Sequence, residues 1–372
     1  MSYQNKAPGV YVEETKSLSL SVTSGDTAVP VFAATTADYG TLKSAADYVE
    51  LDSWLAVTTR VAENSRTTTL YLALAAYFTN GGGRCYVCPV GKLDAVVPTL
   101  SDVTLLVQAG VTSTAAPGKE HLSSTTVTTL CGRAFGIFGL LDTPSGASAL
   151  GADAKIDPAL TIFGESALKN ENVAFYFPWF KAGASAVPPS AVMAGIYAQV
   201  DAERGVWKAP ANVAVQGLTL ATNVSDADQG KLNSHSSPVN VVRQFGSDAP
   251  MVWGARTADL DSLFKYIPVR RLFNALERDI KKAMKLVVFE PNTSATWEKV
   301  RSAIDHYLYE IWRQGGLSGT KPEEAYRILI GRDVTMRAED IENGKLIAEV
   351  AVAPSRPAEF IILRFSEKME KA

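Results

Sequence analysis

Apolar residues recur every three or four positions in two long stretches of the C-terminal third. Over 269–287 the repeat is Val269, Leu272, Phe273, Leu276, Ile280, Ala283 and Val287. Over 295–313 it is Trp297, Val300, Ile304, Tyr307, Leu308 and Ile311, and it stops at Gly315-Gly316. Each series lies along one side of a helix, so each predicts an amphipathic helix packed on one face. Thr320 and Glu323 then have the spacing of a capping box, with Pro322 in the first turn. Strands are predicted to follow at about 326–331, 345–353 and 358–366.

The earlier two thirds show a different pattern. Short apolar runs bounded by turn residues predict buried strands at Val22–Ala34, Cys85–Val90, Phe135–Asp142, Val173–Phe180, Val239–Phe245 and Met251–Ala255. A short turn and strand are expected at Ala46–Leu55. Between them lie helical patterns at Thr68–Phe78, ending at Asn80-Gly81-Gly82-Gly83, and at Ala191–Glu203, opened by Val187-Pro188-Pro189 and stopped before Gly205. Residues 92–130 are poor in aromatics and rich in Ser and Thr, and are read as variable loops with one weak helix. Strands alternating with helices argue an α/β body.

Both ends of the chain carry short strand patterns. Pro8-Gly9-Val10-Tyr11-Val12-Glu13-Glu14 is one. The other is Glu359-Phe360-Ile361-Ile362-Leu363-Arg364-Phe365, apolar on both faces and approached through Pro354 and Pro357. The prolines keep helix and ladder out of the approach. Such strands either dock as edges on their own domain or add to a sheet of a neighbouring copy.

Composition narrows the class. The chain has 372 residues, 47% of them hydrophobic and 20% charged, which is ordinary for a globular protein of about two domains. A net charge of −3 gives no general footprint for nucleic acid or anionic membrane. No apolar run approaches the roughly 20 residues of a membrane span, and Met-Ser-Tyr-Gln-Asn-Lys lacks the apolar core of a Sec signal. The reading is therefore a soluble protein made in the cytoplasm. Residues 261–372 hold 19 of the 36 Lys and Arg and 17 of the 39 Asp and Glu, a near-neutral but charge-dense third.

Candidate chemistry is thin. Cys85 and Cys88 lie three residues apart in a strand pattern, so their thiols face opposite ways, which argues against a shared metal or a redox pair. Gly81-Gly82-Gly83-Arg84 follows a helix and precedes a strand, the reverse of a phosphate-binding loop. His121, His235 and His306 are scattered, and no Gly-x-Ser-x-Gly motif frames a nucleophile. No catalytic, cofactor or metal residues are assigned. Carboxylate pairing in space stays open, and with it an enzyme using the α/β body. The 269–287 stretch sets Arg270, Arg271, Arg278, Lys281, Lys282 and Lys285 against Glu277 and Asp279. That is compatible with a grip on an acidic protein surface or with an ordinary solvated face.

Several blocks, in order, resemble contractile tail sheath proteins. They include Pro8–Glu14, Gly81–Val87, Leu140–Pro144, Phe175–Trp179, Asp201–Asn212, Val252–Thr257, Val269–Asn274, Phe289–Asn292, Leu308–Gly316 and Val352–Phe360. The resemblance spans nearly the whole chain except about 92–130. It implies an α/β body with a subtilisin-like core over 21–260 and an α+β domain near the tube over 261–357. It also implies exchanged strand arms over 1–20 and 358–372. The implied role is a helical homopolymer around an inner tube, with baseplate, cap and possible sheath paralogues as further partners. Catalysis, cofactor, direct nucleic-acid binding and membrane insertion have no part in it. The compact length points to an extracellular contractile injection system or tailocin, with a phage or prophage tail as the alternative. In that setting the six basic residues of 269–287 become the candidate tube contact.

Overall fold

Strands in the first two thirds are apolar on both faces because helices cover both. The structure, a computed structural model, describes residues 20–113, 117–144, 168–234 and 237–359. Its strands are β1 (Pro30–Ala34), β2 (Val49–Leu51), β3 (Cys85–Pro89), β4 (Leu105–Val107), β5 (Phe138–Asp142), β6 (Val173–Phe177), β7 (Phe180–Ala182), β8 (Ser185–Val187), β9 (Thr219–Leu220), β10 (Val239–Arg243), β11 (Met251–Val252), β12 (Tyr326–Ile330) and β13 (Ala348–Val352). Eight form one sheet in the order β11-β10-β6-β5-β4-β1-β3-β2. The pairs from β10 through to β3 are parallel, and antiparallel β11 and β2 close the edges. A parallel interior needs crossover helices, which is why the sheet is buried on both sides.

Alternation along each strand sorts the core into two layers. Phe32, Val87, Leu140 and Tyr176 face the helices Thr69–Thr79 and Pro189–Arg204. Val31, Cys88, Leu141 and Phe175 face the opposite layer, which includes the helix Ser124–Leu130. The helix Thr69–Thr79 starts on Thr68, whose side chain accepts from the Tyr71 amide. It crosses Pro189–Arg204 closely, since a Cβ on Gly195 would lie 2.4 Å from the Tyr77 carbonyl oxygen. A small sheet, β8-β7-β9, sits beside the main one.

The C-terminal third forms a separate cluster. The helices Ile267–Met284 and Ser294–Arg313 pack with the antiparallel pair β12–β13 around Leu272, Leu276, Val300, Ile304, Leu308, Ile328 and Ile330. This agrees closely with the two helical stripes read from the sequence.

Several expectations change. The run Val173–Phe180 divides between β6 of the main sheet and β7 of the small one. The first strand is Pro30–Ala34 rather than Val22–Ala34, because Val22 packs on the C-terminal cluster instead. Residues 92–130 contain β4, an interior strand of the main sheet. The run at 135 becomes a strand only at Phe138, and Phe135 is exposed. Thr320 bonds through its amide and hydroxyl to Glu324 rather than Glu323, since the short helix begins one residue later, at Pro322. The arm residues Pro8, Gly9, Val10, Tyr11, Val12, Glu13 and Glu14, and Phe360, Ile361, Ile362, Leu363, Arg364 and Phe365, lie outside the described residues; Glu359 lies within them.

Candidate functional site

The catalytic question can be answered by geometry. Cys85 belongs to one core layer and Cys88 to the other, and both thiols are free and buried. Burial, chiefly, pushes the Cys88 thiol up to about 12, far from a reactive thiolate. The amides of Gly82 and Gly83 turn inward, to the Tyr77 carbonyl at 2.9 Å and the Tyr77 hydroxyl at 3.0 Å, so they are spent on the helix end. Among the described residues no group of three or more His, Cys, Asp or Glu is placed to hold a metal ion. No helix among them is long and apolar enough to cross a membrane.

One buried serine–carboxylate pair does exist. The Ser190 hydroxyl donates to Asp142 Oδ2 at 2.9 Å and accepts from the Ala109 amide at 3.0 Å. Asp142 also accepts from the amides of Ser190 (2.7 Å) and Gly110 (2.8 Å). Both side chains are shut off from solvent, and the serine hydroxyl bonds the carboxylate directly with no imidazole between. This knot ties the end of β5 and the loop after β4 to the start of the helix Pro189–Arg204, where negative charge also favours the helix dipole.

Burial pushes the Asp142 carboxyl up to about 6, against the hydrogen bonds from Ser190 and Gly110 that pull it down. The folded state therefore holds this proton more tightly than the unfolded chain. The resulting stabilisation is complete below the free carboxylate value of about 4, and is lost as pH rises through about 6. Asp142→Asn is expected to remove this dependence. It also sets an amide donor among donors, at a cost of about 1–3 kcal/mol. Thermal melts should separate wild type and variant more widely at pH 4.5 than at pH 7.5; a constant gap would contradict the assignment.

The features that remain lie in the C-terminal third. β12 and β13 form a sheet of two, with no further strand on either outer edge among the described residues. One face, Ile328 and Ile330 with half-buried Ala348, Val350 and Val352, rests on the helix pair. The other carries Arg327, Leu329, Glu349 and Ala351. Open edges on a half-covered pair are a template for added strands.

The six basic residues of the helix divide. Arg270 and Arg271 are only 1% and 3% exposed, so they are corrected from surface candidates to internal ones. Arg271 grips Asp201 through two bonds of 2.9 and 2.6 Å, donates to the Thr27 carbonyl at 3.0 Å, and lies 4.5 Å over the Tyr197 ring. Burial works against the Arg271 charge, but the Asp201 carboxylate outweighs it and raises the pKa above its usual value. Arg270 reaches Glu171, Glu277 and Asn274 and stacks 4.3 Å over Phe264. Arg278 pairs with buried Asp279, which also accepts from the Tyr307 hydroxyl at 2.8 Å and the Gly25 amide at 3.2 Å. These groups form a polar seam joining the C-terminal cluster to the body. Lys281, Lys282 and Lys285 alone face solvent. Next to them the chain exposes Leu286, Val288 and Phe289, an apolar tip that the helical reading of 269–287 did not isolate.

Sequence comparison agrees with this architecture. Residues 116–258 match the phage tail sheath protein central domain, and residues 259–367 match the phage tail sheath C-terminal domain. The tail sheath protein of Enterobacteria phage T4 is 29% identical over 185 residues, 48% of this chain and 27% of that protein. The chain thus spans about a quarter of the length of the curated phage relatives it matches first. Solved structures match end to end. The sheath complex of PVC, an extracellular contractile injection system, in its contracted state is 43% identical with a TM-score of 0.85, covering 97% of this chain and 98% of that one. The contracted helical sheath of the anti-feeding prophage is 38% identical with a TM-score of 0.79, covering 97% and 99%.

Proposed function

The chain belongs to the phage tail sheath protein family, and from that premise we propose that it is the sheath subunit of an extracellular contractile injection system. Copies polymerise helically around an inner tube, and shortening of the polymer drives the tube through a target envelope. The observation that carries this reading is the end-to-end likeness to an injection-system sheath at 43% identity. A phage or prophage tail is the weaker reading, because the T4 match takes in only 27% of that protein. The family is structural, and the buried Ser190–Asp142 knot fits a scaffold rather than a hydrolase.

In this reading the C-terminal domain lies next to the tube and the α/β body outside it. Residues 8–14 and 359–365 of two neighbours flank β12 and β13 in a shared sheet. The baseplate and a cap protein bound the polymer, and sheath paralogues share it where the system has them. The subunit is assembled into a phage tail-like particle, cytoplasmic or released extracellularly.

Electron microscopy of particles from the producing cells tests the proposal: the chain should be the repeating unit of the outer tube. A chain that stays near 39.8 kDa and is absent from such particles would overturn it. Lys281, Lys282 and Lys285 are the remaining tube contacts of the basic helix. Exposed charges exchange with water at modest net cost and are screened by salt, which suits a contact that must hold and then release. Reversing all three to Glu is expected to weaken sheath–tube co-assembly several-fold at low salt, with the wild-type contact itself loosening as salt rises. Unchanged co-pelleting of the triple variant with tubes at both salt levels would remove these lysines from the interface.

A further inference from the structure

The C-terminal segment crosses from its own domain onto the α/β body before it leaves the described residues. At the near end Ser355 is pinned twice, its amide donating to the Gly316 carbonyl at 3.1 Å and its hydroxyl to the Gly315 carbonyl at 2.8 Å. At the far end Arg256 grips Glu359 through two parallel bonds of 2.8 Å each, with the Tyr266 hydroxyl at 3.4 Å from the same carboxylate. Arg256 is itself held: its remaining guanidinium nitrogen donates to the Asn233 carbonyl at 2.7 Å, and its amide donates to the Asn240 side chain at 2.7 Å. Three residues lie between the pins, a span of about 13 Å of extended chain, and Pro357 stiffens it by fixing one φ. The strap forms one wall of a groove of about 960 Å³ whose other walls include Trp207, Trp253 and Tyr266.

We infer that Arg256 and Glu359 are positioning residues for strand exchange: they clamp the root of the C-terminal arm to the body and so fix the direction in which residue 360 departs. The inference rests on the exchange reading proposed above. A bidentate guanidinium–carboxylate pair sets orientation as well as distance, and its side chains are 13% and 23% exposed. An arm leaving from an unclamped strap samples many directions. Only a fraction of subunits then present it to the neighbouring sheet, and the apparent affinity falls by that fraction. The clamp keeps Pro354–Glu359 with the body.

The test measures the critical concentration for assembly of the full chain. Glu359→Gln keeps size and loses the charge; it is expected to raise that concentration about tenfold or more, as for loss of a charge-assisted pair, with the unassembled subunit still melting cooperatively from a folded state. In an Arg256→Gln background the same change should add nothing, because both act through one contact. Removing residues 360–372 separates the two ideas. If the truncated chain assembles like wild type, the exchange reading falls. If truncation blocks assembly while Glu359→Gln assembles at the wild-type concentration, exchange stands and the clamp is overturned. An equal further loss from Glu359→Gln in the Arg256→Gln background would also overturn it.

Discussion

A chain ending at Glu359 should fold, melt like wild type and remain monomeric. The truncated chain keeps every described residue of the three apolar clusters. In the proposed exchange truncation removes a partner for the open sheet β12–β13. An isolated strand pair is marginal in water, and a third or fourth strand changes that. Each added strand of five or six residues brings several ladder bonds at about 0.5–1.5 kcal/mol net. Burying Phe360, Ile361, Ile362, Leu363 and Phe365 adds at most about 1.5–3 kcal/mol apiece. In the proposed exchange the register would be set by the two faces of the strand, because a one-residue slip exchanges them. The sum, repeated at every subunit, is large against ordinary lateral contacts. Ile362→Pro should do nearly the same damage with one residue, by deleting a donor in mid-ladder. Sedimentation and negative-stain microscopy read the outcome, and contractile tubes from either variant would show the terminal strand to be dispensable.

What the sequence disclosed, and what it hid, follows one division. Periodic features were legible. The stripes at 269–287 and 295–313 became the helices Ile267–Met284 and Ser294–Arg313, and the period of two placed Cys85 and Cys88 on opposite sides of a sheet. Features fixed by distant partners were not legible. β4 is three residues long, too short to show a period, and is a strand because β1 and β5 lie on either side of it. Arg270 and Arg271 counted as charge on a helix. Nothing local says that they point inward, and Arg271's partner Asp201 is 70 positions away. Arg256 and Glu359 are 103 apart. Six like-charged residues over 270–285 thus resolved into an internal seam and an exposed trio, a split that only tertiary packing decides.

The seam sets the largest expected change in subunit stability. Arg271→Met should cost about 3–5 kcal/mol, because Asp201, only 6% exposed, is left charged without its guanidinium in a site that water barely reaches. Methionine fills much of the volume, so the loss reports charge rather than a cavity. Asp201→Leu alone should cost a similar amount by stranding the arginine. The double variant Arg271→Met with Asp201→Leu should recover much of the loss, since an apolar pair of similar volume escapes the desolvation cost that the ion pair had to offset. A urea-unfolding double-mutant cycle measures the coupling. Singles that each cost less than about 0.5 kcal/mol, the scale of an ordinary surface change, would show that the pair is not structural. The pair also holds the Thr27 carbonyl, and Asp279 beside it holds the Gly25 amide. The segment that follows the N-terminal arm is therefore fastened to the same helix that joins body to C-terminal domain. When the proposed arms are pulled by neighbouring subunits, tension from the N-terminal side enters at this helix and passes to both domains together. A subunit weakened here should yield between its domains under load, giving sheaths that assemble but stall during contraction.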